Sequence, residues 1–137
     1  MNKFVIDCSS TMSLFLPDEK NLDYANTIHN QLKNKDCIVP SIWCYEIANV
    51  LLSCKKRNRL DDKQINKIAN LIYKLPIDIE NNNLHFIHDN VFNIASLNEL
   101  SIYDASYIEL AIRFNCSIAT LDKKLIDVAK KLNVGLL

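Results

Sequence analysis

Phe4-Val5-Ile6 is an unbroken apolar run closed by Asp7, the pattern of a strand covered on both faces in a parallel sheet. Ser9, Ser10 and Thr11 offer N-caps for a short helix through Met12, Leu14, Phe15 and Leu16, which Pro17 stops. Asp18 starts a longer helix in which Leu22, Ala25, Ile28 and Leu32 recur three or four apart. Cys37-Ile38-Val39 is a second strand run, and Pro40-Ser41 closes it and caps a helix from Ile42 to Lys56. Apolar residues cover most of that helix's circumference, which predicts burial on more than one side. Asp61 opens an amphipathic helix over Ile65, Ile68, Leu71, Ile72 and Leu75 that Pro76 ends, and Ile77 to Ile79 reads as a third strand. After turn residues Asn81 to Asn83, one helix is expected through Leu84, Ile87, Val91, Ile94, Ala95 and Leu97.

The stretch Ser101 to Lys124 is the centre of the chain. It reads as a helix, a tight turn, a strand over Ser117 to Ala119 and the opening of a last helix carrying Leu125, Val128, Ala129 and Leu132. Val134 to Leu137 can add an edge strand. Strands alternating with helices predict a single domain over residues 1–137, a three-layer α/β/α sandwich around a mainly parallel sheet of four to five strands.

Composition narrows the function classes. The 137 residues suit one domain, and 49% hydrophobic content argues against disorder. Sixteen basic residues balance sixteen acidic ones, so any nucleic-acid affinity must come from local patches. The apolar run before Asp7 is only three residues long, too short for a signal peptide, and no run approaches the roughly 18 apolar residues of a membrane span, so a cytoplasmic protein is expected. The five cysteines include no CxxC pair and all sit in or beside apolar runs, as small buried hydrophobes do. A single glycine, Gly135, excludes every glycine-rich phosphate loop.

Four acids carry the candidate chemistry. Asp7 and Asp122 fall just past predicted strand ends, where open α/β sheets place their ligand crevice. Glu46 and Asp104 fall in the first turns of helices at the same edge, so all four can converge. Converging carboxylates raise one another's pKa, and a divalent cation reverses that cost. Oxygen ligands without nearby histidine or cysteine select Mg²⁺ or Mn²⁺ over zinc. Each acid also has a structural explanation: Asp7 and Asp122 as N-caps, Asp104 as the partner of Ser101 in a capping-box-like arrangement. Glu46 is the exception, with Ile42, Trp43 and Val50 on its stripe, no basic residue within four positions and no capping role.

In VIDCS around Asp7, VPSIWCYEIANVLL around Glu46, SIYDASYIELA around Asp104 and IATLDKKL around Asp122, the chain resembles the PIN-domain nucleases, and among them the VapC toxins of bacterial toxin-antitoxin pairs. The resemblance spans almost the whole chain. It implies a Mg²⁺- or Mn²⁺-dependent endoribonuclease with Asp7, Glu46, Asp104 and Asp122 as catalytic, metal-binding positions and water as nucleophile. It further implies Ser9, Asn49 and Thr120 as polar residues lining the site, a homodimer, and inhibition by a cognate antitoxin that inserts a segment into the site. Two departures touch none of these acids: Cys8 puts a thiol beside the site, and Asn115 replaces a common glycine in the turn before the fourth strand, where asparagine also tolerates the left-handed conformation.

Lys123 and Lys124, beside the site, and the cluster Lys55, Lys56, Arg57 and Arg59 are candidate RNA-phosphate contacts, though cations at helix ends also complement the dipole. His85, His88 and Asp89 lack a further ligand at zinc spacing, His29 reads as solvated, and Glu109 with Arg113 is an ordinary i, i+4 pair. Two other functions fit less of the pattern. One is a catalytically inactive PIN-like module that only binds a partner. The other is a phosphatase or dehalogenase using Asp7 as nucleophile, for which Ser9 stands where that family expects an acid.

Overall fold

The computed structural model describes residues 2–16 and 22–137. Pro17, the expected helix stop, and Asp18, the expected helix start, lie outside the described residues. The elements run β1 (Lys3–Ile6), α1 (Cys8–Met12), α2 (Leu22–Asn34), β2 (Asp36–Pro40), α3 (Ile42–Lys56), α4 (Asp62–Tyr73), β3 (Ile77–Glu80), α5 (Leu84–Asn90), α6 (Phe92–Asn98), α7 (Ile102–Arg113), β4 (Ser117–Ala119) and α8 (Lys123–Lys131). The sheet has the order β3-β2-β1-β4 and is parallel throughout, with Val5 opposite Ile38 on one side and Ile118 on the other.

β1 lies in the middle, and its Phe4, Val5 and Ile6 are fully buried although successive side chains point to opposite faces. Both faces are therefore covered, which is the expected three-layer arrangement. The buried runs of β2 (Cys37, Ile38, Val39) and β4 (Ile118, Ala119) complete the central layer. β3 is the edge strand on the β2 side and correspondingly more exposed.

Several elements depart from the sequence reading. α1 ends at Met12, and Leu14 and Phe15 continue it only as tight turns donating to Thr11 O and Met12 O. α3 buries one stripe, Trp43, Ile47, Leu51 and Cys54, and leaves Tyr45 and Leu52 exposed, so its apolar circumference did not mean burial all round. Ser41 makes no side-chain cap to α3, because its own backbone is already helical. The expected single helix before Ser101 is kinked at Val91 into α5 and α6. The C-terminal segment contributes one parallel bridge, Ile118 to Leu136, in place of a fifth strand. Gly135 permits that approach, since a Cβ there would stand 2.6 Å from Ser117 Oγ. Asn115 takes φ 49°, as the turn requires. Of the cysteines, Cys44 is exposed and Cys116 half-buried, whereas Cys8, Cys37 and Cys54 are buried.

Candidate active site

The parallel sheet aligns its C-terminal strand ends, and the residues just past β1 and β4 meet there: the Asp7 N–H donates to Ala119 O (3.1 Å). Asp7 is 5% exposed. It caps α1, accepting the Ser10 N–H (2.9 Å) and the Ser9 hydroxyl (2.7 Å) on Oδ1, while Oδ2 accepts the Thr120 hydroxyl. Ser9 Oγ in turn accepts the Leu121 N–H (3.0 Å), and Thr120 Oγ1 the Asp122 N–H (3.0 Å). Neutral donors thus knot the two strand ends together around one carboxylate.

The other acids come from three helices. Asp122 caps α8 with Oδ1, which accepts the Leu125 N–H at 3.0 Å. Asp104 sits in the first turn of α7, whose cap Ser101 accepts the Asp104 N–H at 3.0 Å. The N-cap roles anticipated for Asp7 and Asp122 are real, whereas around Asp104 only the Ser101 half of the capping box forms; the three helix N-termini bring these aspartates to one place, since helix N-termini favour negative groups. Glu46 lies one turn into α3 and accepts a hydrogen bond from the Tyr107 phenol of α7. It is half-buried and has a partner, so the expectation of an unpartnered buried glutamate is corrected; the partner is a neutral hydroxyl.

Asp7, Glu46, Asp104 and Asp122 line one cavity of about 370 Å³ together with Cys8, Ser9 and Tyr107. Among the described residues no lysine or arginine forms an ion pair with any of the four. The electrostatic consequence is consistent. Burial pushes the Asp7 carboxyl above its ordinary range, against the opposing hydroxyl and amide donors. Burial also raises Glu46, with Asp104 and Asp7 adding repulsion against the Tyr107 hydrogen bond. Asp104 rises through burial, then Asp122 and Asp7, with Lys124 opposing. The Cys8 thiol is pushed up to about 12 by burial and by Glu46 and Asp7, so it stays protonated and inert at neutrality.

Asn49 is exposed on α3 and does not line the cavity; Val50, a full turn after Glu46, takes that place. Thr120 is buried behind Asp7. Lys123 and Lys124 are exposed in the first turn of α8. Lys55, Lys56 and Arg57 are exposed at the far end of α3, about 13 Å or more from Glu46 along the helix axis. Lys55 there pairs with Asp62 at 2.9 Å. Tyr107 is a site residue that sequence reasoning did not single out. Its signal was available: a tyrosine inside an apolar stripe must find a partner for its hydroxyl. Likewise Trp43 donates to Thr11 Oγ1 (3.0 Å), fixing α3 against α1 beside the site.

An all-oxygen donor set without cationic partners is one that a hard divalent cation relieves. Among the described residues no three His, Cys, Asp or Glu side chains close into a ligand cage. The carboxylates ring an open cavity instead, which suits Mg²⁺ or Mn²⁺ retaining several waters.

The fold and site define an α/β domain with a carboxylate-ringed pocket at the C-terminal edge of a parallel sheet. The PIN domain family is matched over residues 4–131, and the chain belongs to that family. It is 22% identical over 125 residues to Ribonuclease VapC3 of Pyrobaculum aerophilum, covering 91% of this chain and 93% of that protein. Its fold is similar to the crystal structure of PAE2754 from Pyrobaculum aerophilum (TM-score 0.68, 19% identity, 98% of this chain and 82% of that one). It is also similar to that of VapBC2 from Rickettsia felis bound to a DNA fragment from their promoter (TM-score 0.66, 17% identity, 98% and 97%). Among the described residues no helix is long and apolar enough to cross a membrane.

Proposed function

We propose that this chain is a VapC-type toxin, a metal-dependent endoribonuclease that hydrolyses RNA phosphodiester bonds and is restrained by a cognate antitoxin. Family membership and the likeness to a protein named as a ribonuclease support the nuclease reading. The observation that carries it is the cavity shared by Asp7, Glu46, Asp104 and Asp122 without a cationic partner among the described residues.

Asp7, Glu46, Asp104 and Asp122 are the residues to hold Mg²⁺ or Mn²⁺, which when bound supplies charge neutralisation for the phosphate and acidifies water as nucleophile. Thr120, Ser9 and the Ser10 amide fix both Asp7 oxygens, and Tyr107 fixes one oxygen of Glu46, so the ligand geometry is set before substrate arrives. Lys123 and Lys124 are placed to attract the RNA backbone beside the cavity, whereas Lys55, Lys56 and Arg57 serve only a strand that runs along α3. The antitoxin reading follows the likeness to VapBC2, and a homodimer is supported by the exposed Leu84, Phe92 and Leu97 of α5 and α6.

The test is purified protein with RNA and Mg²⁺, against EDTA and against Asp104→Asn. Cleavage that requires the metal and vanishes in the variant is expected; cleavage unchanged in Asp104→Asn overturns the assignment.

A further inference from the structure

Next to the acidic cavity lies a second one, of about 200 Å³, walled by the same two helices, α3 and α7. Tyr45 and Tyr103 stand at its mouth, 77% and 60% exposed. Tyr45 immediately precedes Glu46 and Tyr103 immediately precedes Asp104. Each ring is therefore rooted one peptide unit, about 3.8 Å between Cα atoms, from a carboxylate of the neighbouring site. Aliphatic residues of α3, α5 and α7, among them Ile42, Ile87, Ile102 and Leu110, form much of the wall. The volume is below the roughly 300 Å³ of the smallest drug-sized pockets and suits a single ring system.

The polar part of the wall is rich in acceptors. Arg113 is fully engaged, its Nε on Glu109 (2.8 Å), its Nη1 on Glu80 (3.1 Å), and its guanidinium over the Phe86 ring at 5.0 Å. Glu109 is 6% exposed. Asn82 also donates to Glu80 Oε1 at 2.8 Å, and the two carboxylates that line the cavity, set against one guanidinium, leave it with surplus negative charge. Ser106 has its hydroxyl hydrogen committed to Tyr103 O (2.6 Å), so it too presents an oxygen acceptor.

We infer that this cavity receives one unpaired nucleobase of the RNA, stacked on Tyr45 and Tyr103 next to the phosphate to be cleaved, with guanine favoured. Single-stranded bases stack on aromatic side chains and are read on their Watson–Crick edges. Guanine alone offers a ring N–H beside an exocyclic amine there, the donor pair that an acceptor-rich wall selects. This rests on the nuclease reading and gives it a substrate preference.

The experiment titrates fluorescein-labelled single-stranded RNA pentamers, differing only in the central base, into wild-type protein, Asp104→Asn and Tyr45→Ala/Tyr103→Ala in EDTA, read by anisotropy. Guanine should bind most tightly, and inosine, which lacks the exocyclic amine, less tightly. The double tyrosine variant should lose about tenfold in affinity and the base preference with it, while Asp104→Asn keeps the preference. Both tyrosines are exposed, so the variant should melt as the wild type does. With Mg²⁺, wild-type cuts should cluster beside guanine and scatter in the double variant. Equal binding of all bases, undiminished binding by the double variant, or a dimer that hides the tyrosines and dissociates on their substitution would each overturn the inference. Absence of metal-dependent cleavage in the wild type would defeat the nuclease reading separately, whatever the base preference.

Discussion

Adding a divalent cation to the metal-free protein should raise its melting temperature, and neutralising Asp104 should do part of the same work. Asp7, Glu46 and Asp104 all have pKa values raised above the ordinary 3.8 and 4.5. Between those ordinary values and the raised ones the folded chain binds more protons than the unfolded chain, so stability falls as pH rises through that window. Ionising these carboxylates works against burial and against one another, and a divalent ion that binds only the folded state offsets that cost. At a hundred times its dissociation constant such a ligand contributes about 2.7 kcal/mol. At about 4 °C per kcal/mol for a domain of this size, the shift is about 10 °C. The increment should be smaller at pH 5, where protons compete for the same oxygens. Asp104→Asn removes a carboxylate whose pKa is raised by burial and by its neighbours Asp122 and Asp7, with the Ser101 hydrogen bond and Lys124 opposing. In EDTA it should gain on the order of 1 kcal/mol, and it should lose most of the metal increment. Differential scanning calorimetry in EDTA, MgCl₂ and MnCl₂, matched in ionic strength with KCl, reads all of this. A melting temperature indifferent to Mn²⁺, or an Asp104→Asn protein less stable than wild type in EDTA, would refute the electrostatic reasoning.

Tyr107→Phe leaves Glu46 without its donor; stability should fall by about 1 kcal/mol, and Mn²⁺ affinity measured by calorimetry should weaken by about tenfold or more. Arg113→Ala strands Glu109, which is nearly buried, and should cost about 2 kcal/mol in denaturant unfolding, while Glu109→Gln in that background should recover part of it. Glu99 holds φ 54° at the C-cap of α6, where a side chain is strained. Glu99→Gly should therefore stabilise the protein by about 0.5 to 1 kcal/mol, read as a higher melting temperature.

The strands and their parallel sense, though not their order, were legible because Phe4-Val5-Ile6, Cys37-Ile38-Val39 and Ile118-Ala119 are short apolar runs of the kind a doubly covered sheet accommodates. The convergence of the four acids followed from their positions just past strand ends or at helix starts. The kink at Val91 was hidden because the apolar period continues across it without glycine or proline. Asn49 was misplaced for a geometric reason: three residues on from Glu46 is not quite the same face, and Val50 fills the wall. Burial around α3 was overestimated because hydrophobicity alone does not say what packs against each side, and the exposed Tyr45 is where that matters most. The Tyr107–Glu46 bond joins residues 61 apart, a pairing that no local pattern encodes.

The hydroxyl bond from Thr120 to Asp7 spans 113 positions of the polypeptide. A chain still being synthesised, or one cut short before Thr120, holds Asp7 without that donor, without Asp122 and without β4 alongside the first strand. The four-acid pocket therefore assembles only after the chain has been made past Asp122, and shorter nascent or truncated chains lack it.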